Sequence, residues 1–135
     1  MFIGLCRVVE PNINVLPHQD KLSKDAQYIE TTVALQGQFA ANTYIDMPAN
    51  GGELDIWKEE FSDKTYDAMR ENGSYGIKRD KLPAPYLTYK PEQGELLLFN
   101  ARKLHAVKPV YGSSRLSISC FIGFYGNDKP LTYWS

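Results

Sequence analysis

Histidine is scarce in this 135-residue chain, which has two, His18 and His105. The first lies in NVLPHQD (residues 14–20), two positions before Asp20. In an extended chain, residues two apart face the same side. An imidazole and a carboxylate would then be presented together, which is a start for a divalent-metal site. The tripeptide also suits a polar turn, and His-x-Asp alone is a weak motif. Adding His105 completes a two-histidine, one-carboxylate set. Such a set leaves three positions of an octahedron open and is characteristic of non-haem Fe(II) oxygenases. Taken alone, His105 reads as a partly buried histidine bonded to a backbone carbonyl.

Arg115 follows His105 by ten residues and begins RLSISCFIGF, residues 115–124. Alternation divides this strand into an apolar face (Leu116, Ile118, Cys120, Ile122, Phe124) and a face with Arg115, Ser117 and Ser119. In one reading the apolar face enters the core and Arg115 meets water. In the other, the sheet wraps a polar pocket, Arg115 points into it, and something else covers the apolar face. If Arg115 and His105 sit on paired strands, their backbones lie about four residue steps apart, roughly 13 Å. An arginine plus a five-carbon dicarboxylate could span that gap to a metal. The guanidinium would grip the far carboxylate with two parallel hydrogen bonds. Ser117, on the same face, could donate its hydroxyl to that carboxylate.

These residues must be positioned by short strands. The chain is 43% hydrophobic and 23% charged, which suits one soluble globular domain over residues 1–135. A net charge of −1 gives no electrostatic case for nucleic acid or an anionic membrane. No apolar run reaches spanning length and residues 1–6, MFIGLC, carry no basic n-region of a signal peptide, so a cytoplasmic protein is expected. Cys6 and Cys120 follow no metal or redox spacing and read as buried, reduced thiols. Strands are expected at 3–9, 14–18, 31–35, 39–47, 53–57, 86–89, 94–99, 105–111 and 115–124, separated by turns such as PANGG and KPEQG. Residues 58–85 interrupt them. There SDKTYDAMREN predicts one short helix around 60–72, with Ser62 as N-cap and Gly73 as stop. The whole reads as mainly β: a sandwich, barrel or jelly roll.

Taken together, the H-x-D at 18–20, the distal His105 and the R-x-S at 115–117 resemble the Fe(II)- and 2-oxoglutarate-dependent oxygenases. GGELDIW (51–57) resembles the strand after the central turn in that superfamily. PEQGELLLFNARKLHAVKPV (91–110) resembles the segment that delivers the distal histidine. The resemblance covers almost the whole chain, in order. It implies a double-stranded β-helix, a cupin-like jelly roll, with His18, Asp20 and His105 as iron ligands. Fe(II), 2-oxoglutarate and O2 would be the cofactor and cosubstrates, with Arg115 and Ser117 holding the distal carboxylate of 2-oxoglutarate. The reaction implied is oxidative decarboxylation coupled to hydroxylation of a small molecule, such as a free amino acid or related metabolite. Related halogenases have Gly or Ala at the aspartate position, so Asp20 implies hydroxylation rather than halogenation, with desaturation or ring formation left open by the same chemistry.

Members of this superfamily usually carry helices before the first strand, packed on the larger sheet. The expectation is therefore a longer protein, a second copy of the chain, or the insertion, covering the apolar face. The insertion at 58–85, with Arg70, Tyr75, Lys78 and Arg79, is expected to act as a lid. Arg70, Arg79, Asn100 and Trp134 are the candidates for contacting substrate, and Arg102 also precedes the distal histidine. Two other readings stay open: a cupin-like hydrolase or isomerase using the same ligands, and a truncated non-catalytic domain of this fold.

Overall fold

The computed structural model describes residues 4–26, 34–71 and 73–135. Its strands are β1 (Leu5–Val9), β2 (Val15–His18), β3 (Gly37–Asp46), β4 (Asn50–Gly51), β5 (Leu54–Ile56), β6 (Leu87–Tyr89), β7 (Leu96–Asn100), β8 (His105–Val107), β9 (Val110–Tyr111), β10 (Arg115–Phe124) and β11 (Thr132–Trp134). A one-turn helix α1 (Leu22–Asp25) follows β2, and α2 (Asp63–Met69) lies in the insertion. All strand pairings are antiparallel. One sheet runs β1-β10-β3-β7, with β11 also on β10, and a second runs β2-β8-β5-β6. The β4-β9 pair forms a third, two-stranded sheet. The fold is a jelly roll, as expected from the sequence.

Most strands lie where the alternation and turn residues put them. Residues 31–33 of the expected 31–35 strand lie outside the described residues, and Leu35 is not in a strand. The expected strand at 105–111 is two strands, interrupted at Lys108 and Pro109. Proline has no N–H to give a ladder, while its carbonyl accepts from Gly52 at 3.2 Å. That close approach requires glycine opposite: a Cβ on Gly51, at φ +79°, would lie 2.0 Å from the Pro109 oxygen. Helix α2 is capped as expected, with the Ser62 hydroxyl accepting from the Thr65 N–H at 3.2 Å. It ends before Gly73, because Arg70 is already extended at ψ 149°.

Strand β10 resolves the choice between its two faces. Arg115, Ser117 and Ser119 are buried, whereas Ile118 is 45% exposed. The apolar row faces outward, and Leu96 and Leu98 of β7, two strands away across β3, are exposed as well. Cys6 is exposed and Cys120 half-buried, both free, so the expectation of two buried thiols is corrected.

The insertion does more than edge the sheet. Tyr66 of α2 and Ile77 form a buried cluster with Trp57, Leu104 and Ala106, and Phe61, Met69 and Leu82 pack around it. The Trp57 indole donates to the Pro83 carbonyl at 2.8 Å. The Ile77 N–H donates to the Pro17 carbonyl at 2.8 Å, fastening the insertion to β2 one residue before His18. Gly76 makes this approach feasible, since a Cβ there would lie 2.7 Å from both the Leu16 Cβ and the Pro17 oxygen. Gly76→Ala should therefore lower stability by about 1–3 kcal/mol, the usual cost of overpacking. Denaturant unfolding checks this, with an unchanged midpoint as the contrary result.

Candidate metal centre

The two histidines meet because β2 and β8 pair: His18 is directly opposite His105. Their ring centroids lie 4.3 Å apart. Each imidazole is held the same way. The His18 Nδ1 bonds the Leu16 carbonyl at 2.8 Å, and the His105 Nδ1 bonds the Lys103 carbonyl at 2.9 Å. A carbonyl can only accept, so each Nδ1 carries a proton and each Nε2 is turned toward the site. Both Nε2 atoms approach the same carboxylate oxygen, Asp20 Oδ2, at 3.9 Å from His18 and 3.3 Å from His105. The Asp20 N–H donates to the Ala101 carbonyl at 2.9 Å, which fixes the aspartate beside the turn leading to β8.

Electrostatics favour a site ready for a cation. Burial, aided by the charge of neighbouring His105, pushes the His18 pKa down to about 4. Its imidazole is therefore neutral at pH 7, the form that binds metal. Burial alone would raise the Asp20 carboxyl. The hydrogen bond with His105 and the positive potential of His105, His18 and Arg7 outweigh that and hold it below the usual range. One ligand atom from each of the three residues lies within 4.8 Å of the others. Ligands about 2.1 Å from an ion and at right angles would lie about 3 Å apart, near the 3.3 Å between Asp20 and His105 and shorter than the 3.9 Å between Asp20 and His18. Two imidazole nitrogens, a carboxylate oxygen and backbone-anchored Nδ1 atoms fit Fe(II).

These three residues line a cavity of about 610 Å³ between the two main sheets, together with Arg7, Arg115, Ser117 and Ser119. Arg115 is 4% exposed. Its guanidinium lies over the Tyr44 ring, 4.9 Å from the centroid. Burial lowers its pKa, with Tyr44 opposing. The Arg115 Nε and the Tyr44 hydroxyl are both buried without a hydrogen-bond partner. A buried cation with an unused donor, next to an unused hydroxyl, is a natural cradle for an anion.

The route by which Arg115 reaches the site differs from the expectation. The sequence suggests a hairpin pairing the His105 strand with the Arg115 strand, but β8 pairs β2 and β5, while β10 pairs β1, β3 and β11. The chain changes sheets at Pro109–Ser114, so His105 and Arg115 line one cavity from different sheets. Two further residues emerge from the fold. Arg7 of β1 lies opposite Ser117 and donates through Nε to the Ser119 hydroxyl at 2.8 Å. Ser119 was legible by alternation from Arg115, whereas Arg7 needed the knowledge that β1 pairs with β10.

The substrate candidates are scattered. Arg70 lines a second cavity that adjoins the ligands, and Tyr75 of the insertion lines both cavities. Asn100 uses its side-chain oxygen to accept from the Arg102 N–H at 2.9 Å, and Arg102 pairs with Glu60. Trp134 is 7% exposed, its ring 5.7 Å from that of Phe121. Lys78 pairs with Glu71 at 2.9 Å. Arg79 is ion-paired at 2.5 Å with Asp55, whose side chain is fully buried and also accepts from Thr88. The structure does not bring Arg79, Asn100 or Trp134 to either cavity's lining.

A jelly roll holding a two-histidine, one-carboxylate cluster beside a buried arginine defines the class, and the comparisons define the family. The family model described as "Carrier-protein-independent halogenase WelO5" matches residues 4–135. The chain belongs to that family, within the Fe(II)- and 2-oxoglutarate-dependent oxygenases. It is 29% identical over 136 residues to an L-gamma-glutamyl-L-propargylglycine hydroxylase of Streptantibioticus cattleyicolor, covering 99% of this chain and 48% of that protein. It is 30% identical over 133 residues to an L-isoleucine 3(1)-dioxygenase of Pantoea ananatis, covering 91% of this chain and 43% of that protein. The chain thus spans about half the length of the curated relatives it matches. An N-substituted L-amino acid dioxygenase of Burkholderia ambifaria has the same fold, with a TM-score of 0.72 at 22% identity over 98% of this chain and 53% of that one. Its complex with alpha-KG gives 0.70 at 24% identity, covering 98% and 52%. No helix among the described residues is long and apolar enough to cross a membrane.

The Arg79–Asp55 pair carries a prediction of its own. Arg79→Met would leave the buried Asp55 carboxylate with Thr88 and the more distant Lys108, at 3.9 Å. Stability should fall by about 3 kcal/mol, as when one partner of a buried pair is removed. Urea titration measures this, and a change under 1 kcal/mol (the usual scale of an exposed pair) would contradict it.

Proposed function

We propose that this chain forms the catalytic core of an iron- and 2-oxoglutarate-dependent dioxygenase that hydroxylates a small, amino-acid-like substrate. The observation that carries the reading is one cavity lined by His18, Asp20 and His105 and by the buried pair Arg115 and Ser117. The names of the relatives support an amino-acid substrate, since each is a hydroxylase or dioxygenase of an amino acid or its derivative.

His18, Asp20 and His105 would hold iron through the two Nε2 atoms and the carboxylate. Iron and 2-oxoglutarate, when bound, supply the O2 activation needed to hydroxylate an unreactive C–H bond. The chain's own share is positioning. The Leu16 and Lys103 carbonyls fix both imidazoles through Nδ1, so neither ring turns away when the cation arrives. Arg115 would grip the distal carboxylate of 2-oxoglutarate with paired N–H donors, and Ser117 would add its hydroxyl. The Tyr44 ring supports that guanidinium and excludes water beneath it. Although the family model is named for a halogenase, Asp20 supplies a carboxylate where a halide would otherwise need room. Hydroxylation is therefore the reaction assigned.

Anaerobic addition of Fe(II) and then 2-oxoglutarate should give a weak visible charge-transfer band, absent in His18→Ala. Arg115→Ala should weaken 2-oxoglutarate binding by about 10- to 100-fold, the scale of lost charge-assisted hydrogen bonds. A hydrolase or isomerase using the same ligands has no use for Arg115. A folded protein with no band, or an Arg115→Ala variant that binds 2-oxoglutarate as before, would sink the assignment.

A further inference from the structure

Two cavities meet at the metal ligands. His18, Asp20 and Tyr75 line both, but the cation-rich walls differ. The first has Arg115 and Arg7. The second, about 380 Å³, has Lys24, Arg70 and the buried Lys21. Its size falls within the roughly 300–1,000 Å³ of small-molecule sites.

The charges of the second cavity are not used equally. Lys21 is spoken for: its ammonium donates to the Phe61 carbonyl at 2.6 Å and lies 3.5 Å from both Glu60 and Asp63. Asp20 belongs to the metal set. Lys24 and Arg70 instead converge on a single carboxylate oxygen, Asp67 Oδ1, each at 2.5 Å. Both cations also lie over the Tyr66 ring, 5.2 Å from its centroid. Tyr66 is buried and donates its hydroxyl to the Tyr75 carbonyl at 2.7 Å, so this aromatic floor is fixed. An ammonium has three N–H donors and a guanidinium five. Apart from Asp67, Arg70 bonds the Ser74 carbonyl at 3.1 Å, and its buried Nε has no partner. Donors therefore remain on both side chains. Asp25, on the same wall, keeps the cavity near charge balance, which suits one carboxylate and disfavours a phosphate dianion.

We infer that the second cavity receives the substrate to be oxidised, and that this substrate bears a carboxylate that docks on Arg70 and Lys24. The inference rests on the dioxygenase reading above and deepens it. Cosubstrate and substrate then reach the ligand set from two cavities with separate cationic anchors. Tyr75 stands on the shared wall. Its hydroxyl accepts from the Leu16 N–H at 2.8 Å, and its ring meets the His18 ring edge-on with centroids 5.8 Å apart. Arg70 and Lys24 are specificity-determining residues in this account, not ligands of the metal or of 2-oxoglutarate.

The test uses the Fe(II)–2-oxoglutarate band as a reporter of substrate binding, without oxygen. Proteinogenic L-amino acids and their C-terminal amides are titrated into the loaded protein. At least one amino acid should perturb the band, and its amide, lacking the carboxylate, should not. Arg70→Met should raise that dissociation constant at least about tenfold while the band and 2-oxoglutarate affinity are retained, and Arg70→Lys should recover part of the loss. Lys24→Met, which leaves the Arg70 contact with Ser74 in place, should weaken binding in the same direction. The inference is overturned if the band forms but no amino acid perturbs it, if amide and acid bind alike, or if Arg70→Met and Lys24→Met bind as tightly as the parent. Absence of the band in the parent protein would remove the iron reading, and this inference with it.

Discussion

The site depends on one antiparallel pairing, that of β2 with β8. It sets His18 directly opposite His105, with their ring centroids 4.3 Å apart. Position alone would not make a ligand pair, because an imidazole can present either nitrogen. Each Nδ1 is tied to a carbonyl two residues back, so both Nε2 atoms turn to Asp20. The cost of burying these groups is visible in the depressed His18 pKa. A cation would offset that cost, since it favours the neutral His18 imidazole and the ionised Asp20 carboxylate the fold already holds.

The rest of the molecule supports that pairing from two sides. Strand β5 extends the sheet beyond β8, with Ile56 opposite His105. The insertion braces β2 through the Ile77–Pro17 hydrogen bond, and its Tyr66 and Ile77 are buried against Leu104, the residue before His105. A segment that reads as a polar lid is thus a structural brace that also reaches the cavity through Tyr75. The larger sheet supplies the opposite wall. Its strand β10 turns Arg115, Ser117 and Ser119 inward and leaves Ile118 exposed. This inverts the usual inward placement of apolar residues on a half-solvated sheet, because the interior here is a polar cavity.

Much of this was legible in the sequence, for local reasons. His18 and Asp20 share a side because strands alternate, and the short strands follow from turn residues and β-branched runs. What alternation cannot give is direction: it divides β10 into two faces without saying which is inside. Nor does it give partners. The hairpin expected between His105 and Arg115 fails at Pro109, where the chain leaves one sheet and joins another. Arg79 looked free to meet substrate because its partner, Asp55, lies 24 positions away and meets it only in the fold. Arg7 was passed over for the same reason, since its value depends on β1 lying beside Ser117 and Ser119.

The central claim is that His18, Asp20 and His105 together hold one iron ion with room for 2-oxoglutarate beside it. X-ray absorption at the iron edge, on anaerobic Fe(II)-loaded protein, addresses it most directly. The account predicts scattering from two imidazoles, no sulfur ligand, and a changed coordination shell when 2-oxoglutarate is added. In His105→Ala, one imidazole should be lost. A sulfur scatterer, or a spectrum indifferent both to 2-oxoglutarate and to the loss of His105, would contradict the account.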